Sequence, residues 1–463
     1  MHILILNGSP KGEYSITLQT MRYLEILHPE HTFEVLHAGQ RIRILEKDFA
    51  SARASLEKAD LLIFSYPVYT FIVPYQLQRF IELIKESGVD VSGKATTQIS
   101  TSKHFYDVTA HRYIQDNCGD LGLNYIRGLS ADMEDLTSLK GQQEAEAFFQ
   151  HVCWSIQHEY YEPKTSVKTQ AEPVPVTVPQ MTGNKTGDVV IITDCAPDNT
   201  QLQNMIARFQ AVMPRKTRVV NILDYPFQGG CLGCFNCAIS GKCIYKDGFD
   251  DYLRNEIQTA QSIVYAFTVK DHSMGARFKL YDDRNFCNGH RTVTIGMPIG
   301  YLVSGNYSAE PNLQMIVEAR AQVGSNFMAG VATDEQNPDA EIDRLAANLE
   351  YALEHSYVPP QNFYGIGGMK IFRDLIWLMQ GMMRADHKFY KEHGQYDFPQ
   401  KKWPDMLKMY LVGELLANPK LKAKAGSKMN EGMIAPYKKV LDKARKQAKK
   451  NSRKSILNII RKK

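Results

Sequence analysis

Two short apolar runs constrain most strongly how this chain folds. Ile3-Leu4-Ile5-Leu6 and Val189-Val190-Ile191-Ile192 are unbroken, bounded by turn residues, and each opens a strand-turn-helix unit. A run apolar at every position has no solvated face, so it reads as a parallel strand covered on both sides. After Gly8-Ser9-Pro10-Lys11-Gly12, the residues Ile16, Met21 and Leu24 recur near helical spacing. Phe33 to Leu36 then reads as a second strand, and Leu56 to Asp60 closes a second helix. Leu61 to Phe64 is a third strand, followed by a helix through Leu77, Phe80 and Leu83. Ala95 to Ser100 is a fourth strand and Asn124 to Arg127 a fifth. Strands that alternate with helices predict a doubly wound parallel α/β sheet, because parallel neighbours need crossovers.

Pro163, Pro173, Pro175 and Pro179 among Thr, Lys and Gln mark residues 161–187 as a linker. The opening then repeats. Asp194-Cys195-Ala196-Pro197 falls where Asn7-Gly8-Ser9-Pro10 did, Arg218 to Asn221 matches the second strand, and Ser262 to Tyr265 the third. Between those two strands the second half carries roughly 16 more residues, an insertion of the kind repeat units take in loops. Duplication is one explanation; two α/β domains sharing a rhythm is the other. From Tyr364 the alternation stops, and Ile371, Leu375, Leu378 and Met379 share one helix face. The expected domains are 1–160, a second α/β domain over 188–360, and a helical, basic extension over 361–463.

The N-terminal apolar run is too short for a secretory signal and lacks a basic leader. No stretch approaches the roughly 18 apolar residues of a membrane span. Four of the eight cysteines crowd between Cys231 and Cys243. Without a secretory signal, that bunching points to metal or redox chemistry rather than disulfides, and to the cytoplasm. The net charge of +5 hides a split: residues 401–463 hold 19 Lys/Arg and 4 Asp/Glu, a net of +15, leaving the remainder at −10. An acidic body with a basic tail reports a partner.

The turn from Gly8 to Thr17 lies between a buried strand and a helix, where free N–H groups and the helix dipole favour an anion. Ser9, Ser15 and Thr17 add hydroxyl donors. The pattern is neither a dinucleotide fingerprint nor a Lys-bearing phosphate loop, and hydroxyls suit a phosphate monoester such as that of FMN. A plain helix cap is the alternative. The second loop, Ser65-Tyr66-Pro67-Val68-Tyr69-Thr70-Phe71-Ile72-Val73-Pro74, follows strand three at the carboxyl edge of the sheet, where open α/β sheets bind ligands. Tyr69 and Phe71 offer a flat wall to a ring; aromatic packing under a crossover is the other reading.

Cys231-x-x-Cys234-x-x-Cys237-x5-Cys243 brings four thiols into a compact segment. Four thiolates suit a [4Fe–4S] cluster. Zinc also takes four, usually from two separated knuckles, and reduced thiols packing a loop remain a third reading. Cys118, Cys153, Cys195 and Cys287 read as ordinary buried residues. In the tail, Lys438 to Lys454 is basic and precedes Ile456 to Ile460 and Arg461 to Lys463. An anionic membrane surface is one partner for such a helix, nucleic acid a disfavoured one, and a solvated extension or homo-oligomer contact the alternative. The helix around Trp377, with Met382 and Met383, is a candidate to close a hydrophobic pocket.

The Gly-Ser-Pro-Lys turn with Ser15-x-Thr17, and Ser-Tyr-Pro-Val-Tyr ahead of Pro74-x-x-Leu77-x-x-Phe80, resemble the NADPH-dependent FMN reductase family, which includes iron–sulfur flavoproteins. The resemblance covers about 1–135 and recurs over about 188–335 through the cysteine motif and Met274 to Lys279. It implies two tandem flavodoxin-like domains, with FMN held in the first by Ser9, Lys11, Ser15, Ile16 and Thr17. The ring would lie against Pro67, Val68, Tyr69, Thr70 and Phe71, with Ser100, Thr101, Ser102 and His104 of a third loop on its far side. Tyr69 and His104 would border the ring; no further catalytic group is implied. The expected activity is an FMN-dependent NAD(P)H oxidoreductase passing electrons to a quinone, a small electrophile or a cluster held by Cys231, Cys234, Cys237 and Cys243. A non-enzymatic electron carrier and a cofactor-free interaction protein are the competing readings. In the second half Asp194 and Asp198 would repel a phosphate, so no second FMN is expected there. That half is instead expected to act as an internal partner, with Gly300-Tyr301 and Gly305-Asn306-Tyr307 as its remaining loop candidates.

Overall fold

The computed structural model describes residues 1–164, 172–180, 185–421, 434, 437–438 and 440–450. Its first half runs β1 (His2–Asn7), α1 (Ile16–Leu27), β2 (Thr32–Leu36), α2 (Ala38–Leu45), α3 (Ala50–Lys58), β3 (Leu61–Pro67) and α4 (Tyr75–Ser87). It continues through β4 (Ala95–Ser102), α5 (Asp107–Asp120), β5 (Asn124–Tyr125), β6 (Leu129–Asp132) and α6 (Leu139–Gln157). The strands are all parallel in the order β2-β1-β3-β4-β5, with β6 also on β4. Ile3 to Leu6 are fully buried, as their unbroken apolar character requires. The fifth strand differs from the single run expected over 124–127. It breaks after Tyr125 and resumes at Leu129, because the chain passes Gln98 so closely at Gly128 that a Cβ there would lie 2.3 Å from the Gln98 side chain. The second helix is likewise divided, into α2 and α3.

The second half runs β7 (Val189–Thr193), α7 (Thr200–Val212), β8 (Thr217–Asn221), α8 (Asn236–Ser240), α9 (Phe249–Tyr252), β9 (Ser262–Thr268) and α10 (Gly275–Arg284). Then come β10 (Pro298–Ser304), α11 (Pro311–Val323), β11 (Phe327–Thr333) and α12 (Pro338–His355). Its parallel sheet is ordered β8-β7-β9-β10-β11, the same 2-1-3-4-5 succession as the first. The likeness extends to the loop after the third strand. Thr70 and Phe71 have φ of 38° and 74°, Asp271 and His272 have 50° and 61°, and both turns close an isolated bridge, Tyr69 to Ile72 and Lys270 to Ser273. Left-handed backbone at two successive non-glycine residues costs about 1–3 kcal/mol each. Its occurrence at matching places in both halves fits duplication better than shared rhythm. Gly300 and Tyr301, expected in a loop, lie instead inside β10. The glycine there admits α12: a Cβ would sit 2.9 Å from Leu345.

The halves pack through equivalent helices, α4 against α10 and α5 against α11, and share one continuous apolar core. Polar contacts fix the register. Glu82 accepts from the Ala276 amide at 2.7 Å, Asn312 donates to the Thr109 carbonyl at 3.0 Å, and Lys85 meets Asp271 at 2.8 Å. His272 lies between Asp120 (3.1 Å) and Glu310 (3.0 Å). Burial alone would pull its pKa down, but the two carboxylates outweigh that and raise it to about 10.

The compact body ends at Gln395. It therefore includes α13 (Phe363–Leu378) and α14 (Arg384–Glu392), which the sequence pattern assigns to the extension. Phe372 of α13 stacks on Phe105 with centroids 4.2 Å apart, and Tyr106 donates to the Tyr364 carbonyl at 2.8 Å. These contacts, made with the first half, bind the helix to the body. Residues 172–180 of the expected linker run along the second half, where Val174 donates to the Asp334 carbonyl at 2.7 Å. A separate unit, Tyr396–Lys463, contains α15 (Trp403–Ala417). The basic residues beyond 450 and the apolar stripe Ile456 to Ile460 lie outside the described residues. Among the described residues no helix is long and apolar enough to cross a membrane.

Candidate functional site

At the carboxyl edge of the first sheet one cavity gathers three loops. Ser9, Lys11, Ser15, Ile16 and Thr17 line it from the β1–α1 turn, Pro67 to Thr70 from the loop after β3, and Thr101 and Ser102 from the end of β4. The turn is built by local hydrogen bonds. The Asn7 side chain accepts from the Ser9 amide at 3.2 Å and donates to the Gly12 carbonyl at 2.9 Å, and Gly12 takes a positive φ of 57°. Ser15 caps α1 through the Leu18 amide at 3.4 Å. The amides of Ile16 and Thr17 open the helix and have no intrahelical acceptor. Thr17 and Thr101 meet hydroxyl to hydroxyl at 2.6 Å, which ties the first loop to the third.

Three of the expected contacts lie elsewhere. Phe71 turns away from this cavity and packs on Phe105 and Tyr106, because the left-handed turn at 70–71 reverses the chain. Ser100 is wholly buried in β4 and bonded to His111 at 2.8 Å. His104 is half exposed and bonded to Asp107 at 2.8 Å, so it does not border the cavity. Tyr69 does line it, with Phe286 edge-on at 6.2 Å between centroids.

The opposite wall comes from the second half. The cysteine insertion lies across Tyr69: a Cβ on Gly233, where φ is 61°, would stand 1.9 Å from the Tyr69 hydroxyl. Arg284 holds this insertion. It donates to the Gly229 carbonyl at 2.9 Å and to both oxygens of the buried Asp247 at 2.7 and 2.8 Å. Phe286, Cys287 and His290 follow α10 into the same wall, and Phe372 and Leu375 of α13 close it. His290 is oriented by Asp386, fully buried on α14, whose carboxylate accepts from His290 Nδ1 at 3.0 Å and from Arg291 at 3.0 Å. Nothing local in the sequence singles out Phe286, His290, Phe372 or Asp386.

Cys231, Cys234, Cys237 and Cys243 all line the cavity, joined by Cys287, which the sequence pattern leaves among ordinary buried residues. Their arrangement does not fit a cluster. Among the described residues no three His, Cys, Asp or Glu side chains are grouped so as to hold a metal ion. Cys237 donates to the Phe286 carbonyl at 2.8 Å. Burial raises the Cys237 thiol to about 11, that of Cys287 to about 12, and that of Cys231 further still. The loops from the first half do fit FMN: hydroxyls and free helix amides stand at one end, a proline and a tyrosine at the other.

The matching turn of the second half is not built for an anion. Asn199 caps α7 and bonds Thr268 at 2.9 Å. Burial raises the half-buried Asp194 carboxyl to about 7, only partly offset by a backbone hydrogen bond and by Arg277 and Lys270. A raised carboxyl favours the fold when protonated, so this contribution is full below about pH 4 and lost as pH rises through 7. Asp194→Asn should remove a stability decline of about 2–3 kcal/mol between pH 5 and 8; denaturant unfolding across that range would read it, and an unchanged slope would contradict it.

Residues 1–127 match the family described as having the flavodoxin-like fold. An FMN-dependent NADH:quinone oxidoreductase of Pseudomonas syringae pv. tomato is 32% identical over a match covering 19% of this chain and 56% of that protein. The chain thus spans little more than half the length of this curated relative. Solved structures matched over about a third of this chain include a general stress protein of Treponema denticola in complex with FMN (14% identity, 33% of this chain and 98% of that one, TM-score 0.27). Another is an NAD(P)H:quinone oxidoreductase of Methanothermobacter marburgensis (13% identity, 36% and 99%, TM-score 0.27).

Proposed function

We propose that the first half binds FMN in this cavity and that the chain is an NAD(P)H-dependent oxidoreductase delivering electrons to a quinone or another small electrophile. The observation that carries this is the convergence on one cavity of the hydroxyl-bearing turn, the Pro67–Thr70 loop and the Thr101–Ser102 edge. The relative named for NADH:quinone oxidoreduction supports the reaction class. Bound FMN would supply two-electron exchange with a nicotinamide and one- or two-electron exchange with an acceptor.

The chain's own residues bind, orient and exclude water. The Ile16 and Thr17 amides, the Ser9, Ser15 and Thr17 hydroxyls and the Lys11 ammonium would hold the phosphate. Pro67, Val68 and Tyr69 would support the ring. The second half holds this support rigid: Asp283 of α10 accepts from Thr70 and from the Tyr75 amide, both at 2.7 Å, while Lys279 donates to Thr70 at 2.6 Å. Among the described residues no grouped ligands support a path through a cysteine-held [4Fe–4S] cluster to protein partners.

Stopped-flow mixing of FMN-loaded protein with NADH or NADPH tests the proposal. Bleaching of the flavin band, reversed by 1,4-benzoquinone, is the expected result. A bound flavin reduced only by dithionite would favour an electron carrier, and failure to bind flavin would overturn both readings.

The charge of residues 401–463 and the exposure of α15 support an anionic membrane as a docking surface. Trp403 and Tyr410 are each 70% exposed and Leu415 61%, and apolar side chains flanked by cations suit a lipid interface. Cosedimentation with phosphatidylglycerol vesicles, weakened by salt and absent with phosphatidylcholine, is expected; equal partition to both would contradict it.

A further inference from the structure

Beside the cofactor cavity lies a second one, between the inner face of the second sheet and helices α10 and α11. The two are back to back, since Thr70, Phe105, Phe286, His290 and Phe372 belong to both linings. The second cavity has an unusual floor. Tyr265 of β9 and Tyr301 of β10 are register partners on adjacent strands, with ring centroids 5.4 Å apart. They stand on the sheet face whose other inward residues, Ile263 and Ile299, are apolar. Neither hydroxyl has a hydrogen-bond partner among the described residues. Tyr265 is partly buried and Tyr301 is 4% exposed, and neither hydroxyl is shut off from the cavity, so the pair presents two unused donors to it side by side.

The cations lining the cavity are each paired with a carboxylate, although the buried Nε of Arg320 has no hydrogen-bond partner among the described residues. Arg320 forks onto Asp282 and reaches the Thr70 carbonyl at 3.3 Å, and Arg291 is held by Asp386. No unpaired cation stands among the lining residues to hold an anion. The carboxylate of Asp386 fixes the proton of His290 on Nδ1, since a carboxylate only accepts, and leaves Nε2 for a second partner. Asp386 reaches that position only because residue 289 is glycine: a Cβ there would lie 2.3 Å from its oxygen. Phe286 and Phe372 face His290 edge-on at 5.8 and 4.8 Å, completing an aromatic wall.

From this we propose that the second cavity is a binding site for a neutral, flat aromatic compound bearing ring carbonyl oxygens, of the quinone class. The oxygens accept from Tyr265 and Tyr301, and the ring packs on the phenylalanine wall shared with the cofactor cavity. The assignment rests on the oxidoreductase reading for its biological sense, but the binding site can be tested without it.

The probe is 2,3-dimethyl-1,4-naphthoquinone, which carries no free ring position for thiol addition, titrated calorimetrically without nicotinamide into FMN-loaded and FMN-free protein. One site is expected in both, weakened about tenfold or more by Tyr265→Phe/Tyr301→Phe, with FMN affinity unchanged, as loss of two hydrogen bonds near 1 kcal/mol each requires. The anion 1-naphthoate should bind about tenfold more weakly than the quinone. No saturable binding, binding indifferent to the double variant, binding abolished by FMN, or a preference for 1-naphthoate would overturn the proposal. If the double variant does not fold, each single variant should weaken binding about three- to tenfold, and no change in either would overturn it. Failure of FMN to bind would sink the oxidoreductase reading while leaving the FMN-free titration interpretable.

Discussion

Methionine in place of Lys279 should destabilise the body formed by the two halves by about 3–5 kcal/mol at pH 7. Lys279 and Asp283 are both fully buried where the halves meet, and the pair holds the Tyr69–Thr70 loop. Burial pushes the Asp283 carboxyl up, and Lys279 draws it part of the way back. Without the lysine, a buried carboxylate keeps only two neutral donors, Thr70 and the Tyr75 amide. A raised carboxyl stabilises the fold below its unfolded value and loses that contribution as pH rises through its folded value. The deficit of the variant should therefore shrink from pH 7 toward pH 4.5, and Lys279→Met/Asp283→Asn should recover part of it. Denaturant unfolding at the two pH values would measure this; a loss under about 1 kcal/mol at pH 7 would show that the pair is not holding the halves together.

The second large effect is expected at Gly233. Valine there must adopt a φ of 61° and place a Cβ within 1.9 Å of the Tyr69 hydroxyl and 2.9 Å of its ring carbon. The left-handed backbone costs about 1–3 kcal/mol, and the collision drives Tyr69 and the insertion apart. FMN affinity should fall about a hundredfold, while thermal unfolding moves by only a few degrees because the insertion is peripheral to both sheets. Gly241→Ala is the control. Its φ of 77° imposes comparable strain, but nothing lies within 4 Å of the added carbon, so FMN affinity should stay as in the parent.

These two positions also show what was legible in the chain and what was not. Ile3 to Leu6 and Val189 to Ile192 reveal themselves because a strand covered on both faces must be apolar throughout. The Ser9–Thr17 and Pro67–Thr70 loops are legible because strand-turn-helix units put their ligands at the carboxyl edge. The resemblance places Ser100 and His104 at the ring, and the aromatic character of its loop places Phe71 there, but neither says which way a side chain turns. The opposite wall had no local signal. Phe286, His290, Phe372 and Asp386 reach the cavity only because α10 packs on α4 and α13 packs on Phe105. Gly300 misled for a related reason: glycine marks close helix packing as readily as a turn. The cysteine motif is legible as a run of thiols lining one cavity, but among the described residues its sulfurs are not grouped to hold a metal, and Cys237 donates to a carbonyl instead.

A single titration bears on all of this: FMN into the purified full chain, followed by quenching of flavin fluorescence, for the parent and for Ser15→Ala/Thr17→Val. One FMN per chain is expected for the parent, with affinity reduced about a hundredfold or more in the variant, because the matching turn of the second half carries Asp194 and Asp198 where the first carries hydroxyls. Two equivalents per chain, none at all, or a variant that binds as tightly as the parent would contradict the account.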